Sequence, residues 1–472
     1  MTRIVLAALS LLAITACGGK SGTLTLSIVV SPGDDPFADA SDVRFTVGTS
    51  GNHVTTVPVS MGHFTYKVSF KPDDSTGPVL VEALDNTGAV IAHGQTPSLL
   101  LSAIDQGPIA VWVGRPGRVA PAAAMLPTPL AETASTYVPG LGVLYAGGRD
   151  NTGAATANTA VYDVFTHQII QTAAMEQARA GGVAAAVTGG VQSVVYGGAT
   201  ASGFGNASAV NGTIELFDPT VGLGVWAALP IDTFPPRGYP TKIVLSSGGI
   251  VVSGGLDNNG NALASAGLIN PMGSVMLSTL ASPMVAARVG HAGAAATFPD
   301  GTGAIIFGGL PPGVTGVPVA ERLIGQGFYI YDVGAEENRV NATATTMPNG
   351  DVLILGGKTA AGAQASGLVI TPTAPAPTVT PLPSALSVAR EGHTASLTGN
   401  DLVVCGGADA TGTLQATCDI LDGMTYAIRS TVPLATARRG ASSEVMETSL
   451  VVIAGGIGSD GAPLASMEIY TP

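Results

Sequence analysis

From residue 118 onward, short apolar runs rich in Val, Ile, Leu and Tyr each end in a pair of glycines: VLYAGG (143–148), VVYGG (194–198), IVVSGG (250–255), AIIFGG (304–309), VLILGG (352–357), LVVCGG (402–407) and VVIAGG (451–456). Before each stands a run of small residues and a turn, such as GHAGAAATF (290–298) and PDGTG (299–303). After each come a glycine-rich turn and a further apolar run, such as TAVYDV (159–164) or TIELFDP (213–219). Runs of this length bounded by turn residues predict strands. The first glycines of the pairs are 50, 57, 54, 48, 50 and 49 residues apart, and a period near 50 is the mark of a repeat architecture. Four strands per repeat at this spacing predict the blades of a β-propeller.

The repeats resemble the kelch family, within the galactose oxidase-like central domain superfamily. The resemblance lies in the paired glycines closing the second strand, in Tyr162-Asp163, Phe217-Asp218 and Tyr331-Asp332 closing the third, and in Arg-x-Gly-His at Arg288 and Arg390 opening the next blade. It implies an all-β, seven-bladed kelch-type propeller over residues 117–472. The chain ends straight after the third strand of the seventh repeat, while RVAPAAAM (118–125) looks like an outer strand with no repeat of its own. That segment is expected to complete the seventh blade and close the ring, removing exposed sheet edges. Only 24 residues separate Asp332 from Gly356, against 34 from Asp163 to Gly197, so blade four is expected to lack one strand. Its turn, Leu310 to Gly327, and that of blade two, Ala199 to Gly212, are enlarged.

Residues 23–114 carry no paired-glycine phrase. Their alternating runs, among them DVRFTVG, HFTYKVSF and PVLVEALD, predict a small β-sandwich of immunoglobulin-like or transthyretin-like type. Residues 1–16 have the layout of an export signal: Arg3, an apolar run from Ile4 to Ile14, and small residues before Cys17. ITAC resembles a bacterial lipobox. The resemblance implies cleavage before Cys17, lipid on that cysteine, a tether over 17–22, and a membrane partner. Gly18 in the following position favours the outer membrane, with the orientation left open. With Cys17 lipidated, Cys405 and Cys418 remain as candidates for a disulfide, the alternative being two buried thiols.

Composition narrows the chemistry. The 472 residues carry a formal net charge of -13 with 64 glycines and 32 prolines, which disfavours long helices and, together with the export signal, a nucleic-acid partner. The six histidines show no H-x-x-x-H spacing, and neither a C-x-x-C pair nor a G-x-S-x-G elbow occurs. Copper radical oxidases of this superfamily need two Tyr, two His and a Tyr-Cys crosslink, a set the cysteine positions do not favour. No cofactor, metal site or catalytic residue is therefore expected. Asp34, Asp35, Asp39 and Asp42 read as a solvated loop rather than a calcium site.

Arg179, Arg237, Arg288, Arg339, Arg390 and Arg438 recur at the crossings between blades. They are candidates for an anion-binding ring around one channel mouth, or else ties between each crossing and a neighbouring carbonyl or carboxylate. The expected function is a non-enzymatic, envelope-anchored binding or scaffolding module for a protein or glycan ligand. The alternatives are a structural envelope protein, or a carbohydrate-active enzyme, epimerase-like or lyase-like, in the propeller mouth. Such an enzyme would draw its acid and base from Glu132, Glu321, Glu391 or Glu444.

Overall fold

The computed structural model describes residues 26–472 except 49–52, 61, 63, 65–75, 101–108, 188, 204, 207, 230–233, 271–275, 312–313 and 374. Cys17, the signal segment, the tether and most of HFTYKVSF lie outside the described residues. No helix occurs among those described, and none is long and apolar enough to cross a membrane.

The N-terminal domain is a β-sandwich. An antiparallel sheet in the order His53–Pro58, Asp42–Val47, Val79–Leu84, Val90–Gln95 faces a parallel pair, Leu26–Val29 with Ile109–Trp112. Alternation sets its faces: Val43, Phe45 and Val47 point into the core with Val79, Val81 and Val111, while Arg44 pairs with Glu82 at 2.7 Å on the other side.

The rest of the described chain is a seven-bladed β-propeller, each blade a four-stranded antiparallel sheet. In blade one the order is Ala134–Val138, Gly142–Ala146, Thr159–Asp163, Ile169–Gln171. Second strands such as Ile250–Ser253 and Val352–Leu355 are buried along their whole length, because neighbouring blades cover both faces of each sheet. This is why they read as unbroken apolar runs. In blade seven, Arg118–Pro121 pairs with Met467–Thr471, setting Val119 opposite Tyr470 and Ala120 opposite Ile469. The last sheet thus contains both a strand that precedes the repeats and one from the end of the chain.

Blade four has all four strands, which corrects the expectation of a missing one. Its third strand is Ala320–Ile324 and its fourth Gly327–Ile330, joined by a two-residue turn at Gly325 and Gln326. Tyr331-Asp332 therefore follows the outer strand rather than closing the third, and the enlarged turn ends before Ala320. The short turn made two strands look like one in the sequence.

The glycine pairs sit where the second strand leaves the blade. Both members have positive φ, and a Cβ on Gly356 or Gly406 would stand 2.5 Å from the carbonyl oxygen of Arg390 or Arg438. The close neighbour is the crossing to the next blade, so the glycine admits that crossing. Crossings and glycine-pair loops share one face, bridged at Ala180 to Ala199, Glu391 to Ala408 and Arg439 to Ile457.

The sandwich docks on the opposite face, at blades one and seven. Ala110 N–H donates to the Phe165 carbonyl at 2.6 Å in the turn after the third strand of blade one. Trp112 is buried among Leu126, Tyr162 and Val452, and its Nε1–H donates to Thr471 Oγ1 at 3.2 Å.

Candidate functional site at the propeller axis

The six crossing arginines are clamps, and this corrects the reading of them as an anion-binding ring. None is more than 5% exposed. Each donates Nη1 to the carbonyl of the first glycine of its blade and to a carbonyl leading into the third strand. Arg237 reaches Gly254 and Ser265 at 2.9 and 2.8 Å, Arg339 reaches Gly356 and Ser366 at 3.0 and 2.9 Å, and Arg390 reaches Gly406 and Thr417 at 2.8 Å. In four blades a buried carboxylate completes the clamp: Glu215 with Arg179, Glu321 with Arg288 at 2.8 Å, Asp419 with Arg390 at 3.4 Å and Glu468 with Arg438 at 2.8 Å. Those carboxylates also accept backbone N–H groups of the crossing, as Glu321 does from Val285 at 2.6 Å. Arg237 instead lies 3.9 Å from the Phe234 ring centre. The Nη groups are turned to carbonyls, hydroxyls and carboxylates, the Nε of Arg179, Arg339 and Arg390 is buried without a partner, and with solvent excluded no anion reaches these side chains.

His291 and His393 are buried behind the clamps. Their Nε2 atoms meet Ser253 Oγ at 2.8 Å and Thr343 Oγ1 at 2.9 Å, and burial with the adjacent Arg288 or Arg390 holds each pKa down to about 3. Both rings are therefore neutral at physiological pH. Cys405 and Cys418 form a disulfide between directly opposed residues of blade six. Among the described residues no three His, Cys, Asp or Glu side chains converge as a metal site, and with both described cysteines paired these residues do not fit a Tyr-Cys copper centre. In the acidic loop, Asp34 and Asp39 pair with Arg115, and Asp35 caps the Phe37 N–H.

The chemistry that remains open lies on the axis. The innermost strands are Ala134–Val138, Val183–Ala186, Thr241–Val244, Ala292–Phe298, Thr343–Thr346, Thr394–Thr398 and Ser442–Val445. Across all seven, the charged residues are Lys242 and Glu444 alone, and both hold Ser135. Ser135 Oγ donates to Glu444 Oε1 at 2.7 Å, and Lys242 Nζ donates to the Ser135 carbonyl at 3.2 Å. All three are half-buried. An ammonium, a hydroxyl and a carboxylate from blades three, one and seven thus meet at Ser135. This trio can hold an anionic or hydroxylated ligand and exchange a proton with it.

Above the trio, the enlarged turn of blade two is tied down over the mouth. Arg149, fully buried, donates to the carbonyls of Ala201, Gly153 (3.2 Å) and Asn206 (2.8 Å). Glu132 accepts from Arg149 Nε at 2.7 Å, from the Gly205 N–H at 2.6 Å and from the Tyr239 hydroxyl at 2.6 Å. Burial, reinforced by that bond to Glu132, raises the Tyr239 pKa.

Of the four glutamates named from sequence, Glu444 is on the axis and Glu132 in the tie. Glu321 is sealed in a clamp, and Glu391 stands on the mouth's rim, 3.6 Å from Lys358. Lys242 and Ser135 went unrecognised. Their signal was slight: Lys242 is one of only two lysines after residue 118.

No protein-family model matches the chain, and no curated protein matches it. Among solved structures, a copper-bound fungal alcohol oxidase of the AA5 family aligns with TM-score 0.55 and 18% identity over 75% of this chain and 76% of its own. YjhT aligns with TM-score 0.46 and 12% identity over 73% of this chain and 95% of its own. The alcohol oxidase shows the fold and corrects the expectation of a non-enzyme: the propeller this chain shares with it serves there as the frame of a catalyst.

Proposed function

We propose that the protein is an envelope-anchored propeller that acts on a small hydroxylated ligand by proton transfer in its axial channel. The observation that carries this reading is the placement of the only two charged side chains of the inner strands, Lys242 and Glu444, on one serine. In this reading Glu444 is the proton acceptor, Ser135 is the hydroxyl that orients it, and Lys242 neutralises negative charge on the ligand. The lipid on Cys17 keeps the domain at the outer membrane, and the sandwich stands on the face away from the mouth.

The test is solvent exchange. Reducing sugars and uronic acids are incubated with the protein in D2O, and deuterium entering carbon positions is followed by NMR. Incorporation that falls about 100-fold or more in Glu444→Gln, with the unfolding temperature kept, supports the reading. Incorporation unchanged in both Glu444→Gln and Lys242→Ala removes it.

A further inference from the structure

Two residues after each of the six clamp arginines, and after Leu130, which takes the equivalent place before blade one, the backbone turns left-handed. The seven residues are Glu132, Gly181, Tyr239, Gly290, Asn341, Gly392 and Gly440, with φ between 52° and 64°. They follow one another around the axis, one per blade, and at five of the seven joints the N–H of one donates to the carbonyl of the one before. Gly181 donates to Glu132 at 2.7 Å, Tyr239 to Gly181 at 2.8 Å, Asn341 to Gly290 at 2.7 Å, Gly392 to Asn341 at 3.1 Å and Gly440 to Gly392 at 2.8 Å. The ring lies three residues above Lys242 and four above Glu444, about 10–13 Å at strand rise.

Glycine holds four of these positions without strain, so the other three side chains are kept at a cost of about 1 kcal/mol or more each. For Glu132 and Tyr239 the compensation is visible in the tie to Arg149 and the blade-two turn. Tyr239 lies over Gly181 and thereby roofs the sector of blades one to three. Asn341 is different. It is exposed, its side chain makes no hydrogen bond among the described residues, and its Oδ1 stands 2.7 Å from where a Cβ of Gly290 would be.

Beyond Asn341 the ring is open. A Cβ on Gly440 would meet nothing within 4 Å, and one on Gly392 only the Gly440 nitrogen at 4.0 Å. Beside this gap stand Arg439, exposed and with no ion pair among the described residues, and Lys358, half-exposed beside Glu391.

We propose that this left-handed ring is the selectivity gate of the axial site, and that ligands enter through its open sector at Gly392 and Gly440, past Asn341. The cations beside the gap, with Lys242 deeper on the axis, fit a small hydroxylated carboxylate of the hexuronate class. The inference rests on the reading of Lys242 and Glu444 as the functional centre.

The test uses D-glucuronate and its neutral counterpart D-glucose as probes, with binding read by calorimetry and folding by thermal unfolding. Asparagine is among the residues that best tolerate the left-handed region, as position 341 shows, so Gly440→Asn and Gly392→Asn fill the gap at a cost of about 1 kcal/mol. The expected results are preference for glucuronate over glucose by about ten-fold or more, a similar loss in either Asn variant with the unfolding temperature lowered by no more than about 5 °C, and loss of the discrimination in Asn341→Gly with stability unchanged or raised. Should an Asn variant fail to fold, Asn341→Gly alone decides. Binding abolished by Lys242→Ala but untouched in the ring variants overturns the gate and leaves the axial centre standing. Binding untouched by Lys242→Ala overturns the centre itself, and no glucuronate binding by the unmodified protein overturns the ligand class.

Discussion

Arg288→Leu tests the clamps most directly. The guanidinium holds the carbonyls of Gly308 (2.6 Å), Pro318 (2.7 Å) and Val319 (3.0 Å) and the Glu321 carboxylate (2.8 Å), all without solvent. Removing it leaves a buried carboxylate without its counter-charge, a loss of about 3–5 kcal/mol for one partner of a buried pair. Glu321→Leu leaves the opposite charge uncompensated and belongs to the same range. The double variant removes both charges and leaves neutral backbone groups unpaired, the clamped carbonyls and the N–H groups of Val285 and Ala286, so it is expected to lose about 2 kcal/mol less than the sum of the singles. Arg237→Leu, with no carboxylate to strand, is expected to cost about 1–3 kcal/mol. Urea unfolding followed at Trp226, in blade two, separates the propeller transition from events near Trp112 at the domain junction. A loss below about 1 kcal/mol in Arg288→Leu, or glucuronate binding abolished at full stability, would refute the structural role and restore the arginines as ligand groups.

Two further outcomes can be measured. His291 and His393 are held neutral with pKa about 3, so the unfolded chain takes up their protons first, and stability is lost as pH falls from 6.5 toward 3. Between pH 7 and 5 this amounts to about 2 kcal/mol per ring; imidazole resonances from these two that titrate above pH 5 would contradict it. Cys17→Ala is expected to abolish labelling by radioactive palmitate and release the protein from the membrane fraction, and labelling that persists would remove the lipid anchor.

The propeller was legible because its signal is periodic. Second strands buried on both faces must be apolar throughout, and their exits must be glycine where a crossing carbonyl comes within 2.5–2.8 Å of the missing Cβ, as at Gly356, Gly406 and Gly197. Blade four was misread because its outer hairpin closes in two residues, so that strand count and spacing parted. The arginine positions were legible but their direction was not. A residue recurring at every crossing reads the same whether it faces solvent or the third strand, and only burial separates the two. The axial trio was hidden for the opposite reason. Ser135, Lys242 and Glu444 do not recur, they lie far apart in sequence, and closure of the ring alone brings them together. The left-handed ring was half visible, as Arg-x-Gly in four repeats. The informative members are the exceptions: Glu132, Tyr239 and Asn341.

Charge placement joins these findings. The net charge of -13 suggests a surface hostile to anions, yet that figure includes seven arginines whose guanidinium groups are spent inside, six in clamps and Arg149 in the tie. Five of these seven face a carboxylate buried or largely buried beside them, so their burial changes the outer charge little, and beyond a Debye length of about 8 Å at physiological salt the field of the net charge is screened. What a ligand meets at contact is local. At the mouth, Lys358 of blade five and the exposed Arg439 of blade seven flank the open sector, while the acidic turn residues Asp150, Asp257 and Asp409 are held in their own loops by backbone amides. An acidic exterior around a cationic entrance discourages nonspecific polyanions and admits a small one that fits the gap. The same arrangement explains why Lys242 lies below the ring: a cation at that depth is reached only by what has passed the gate.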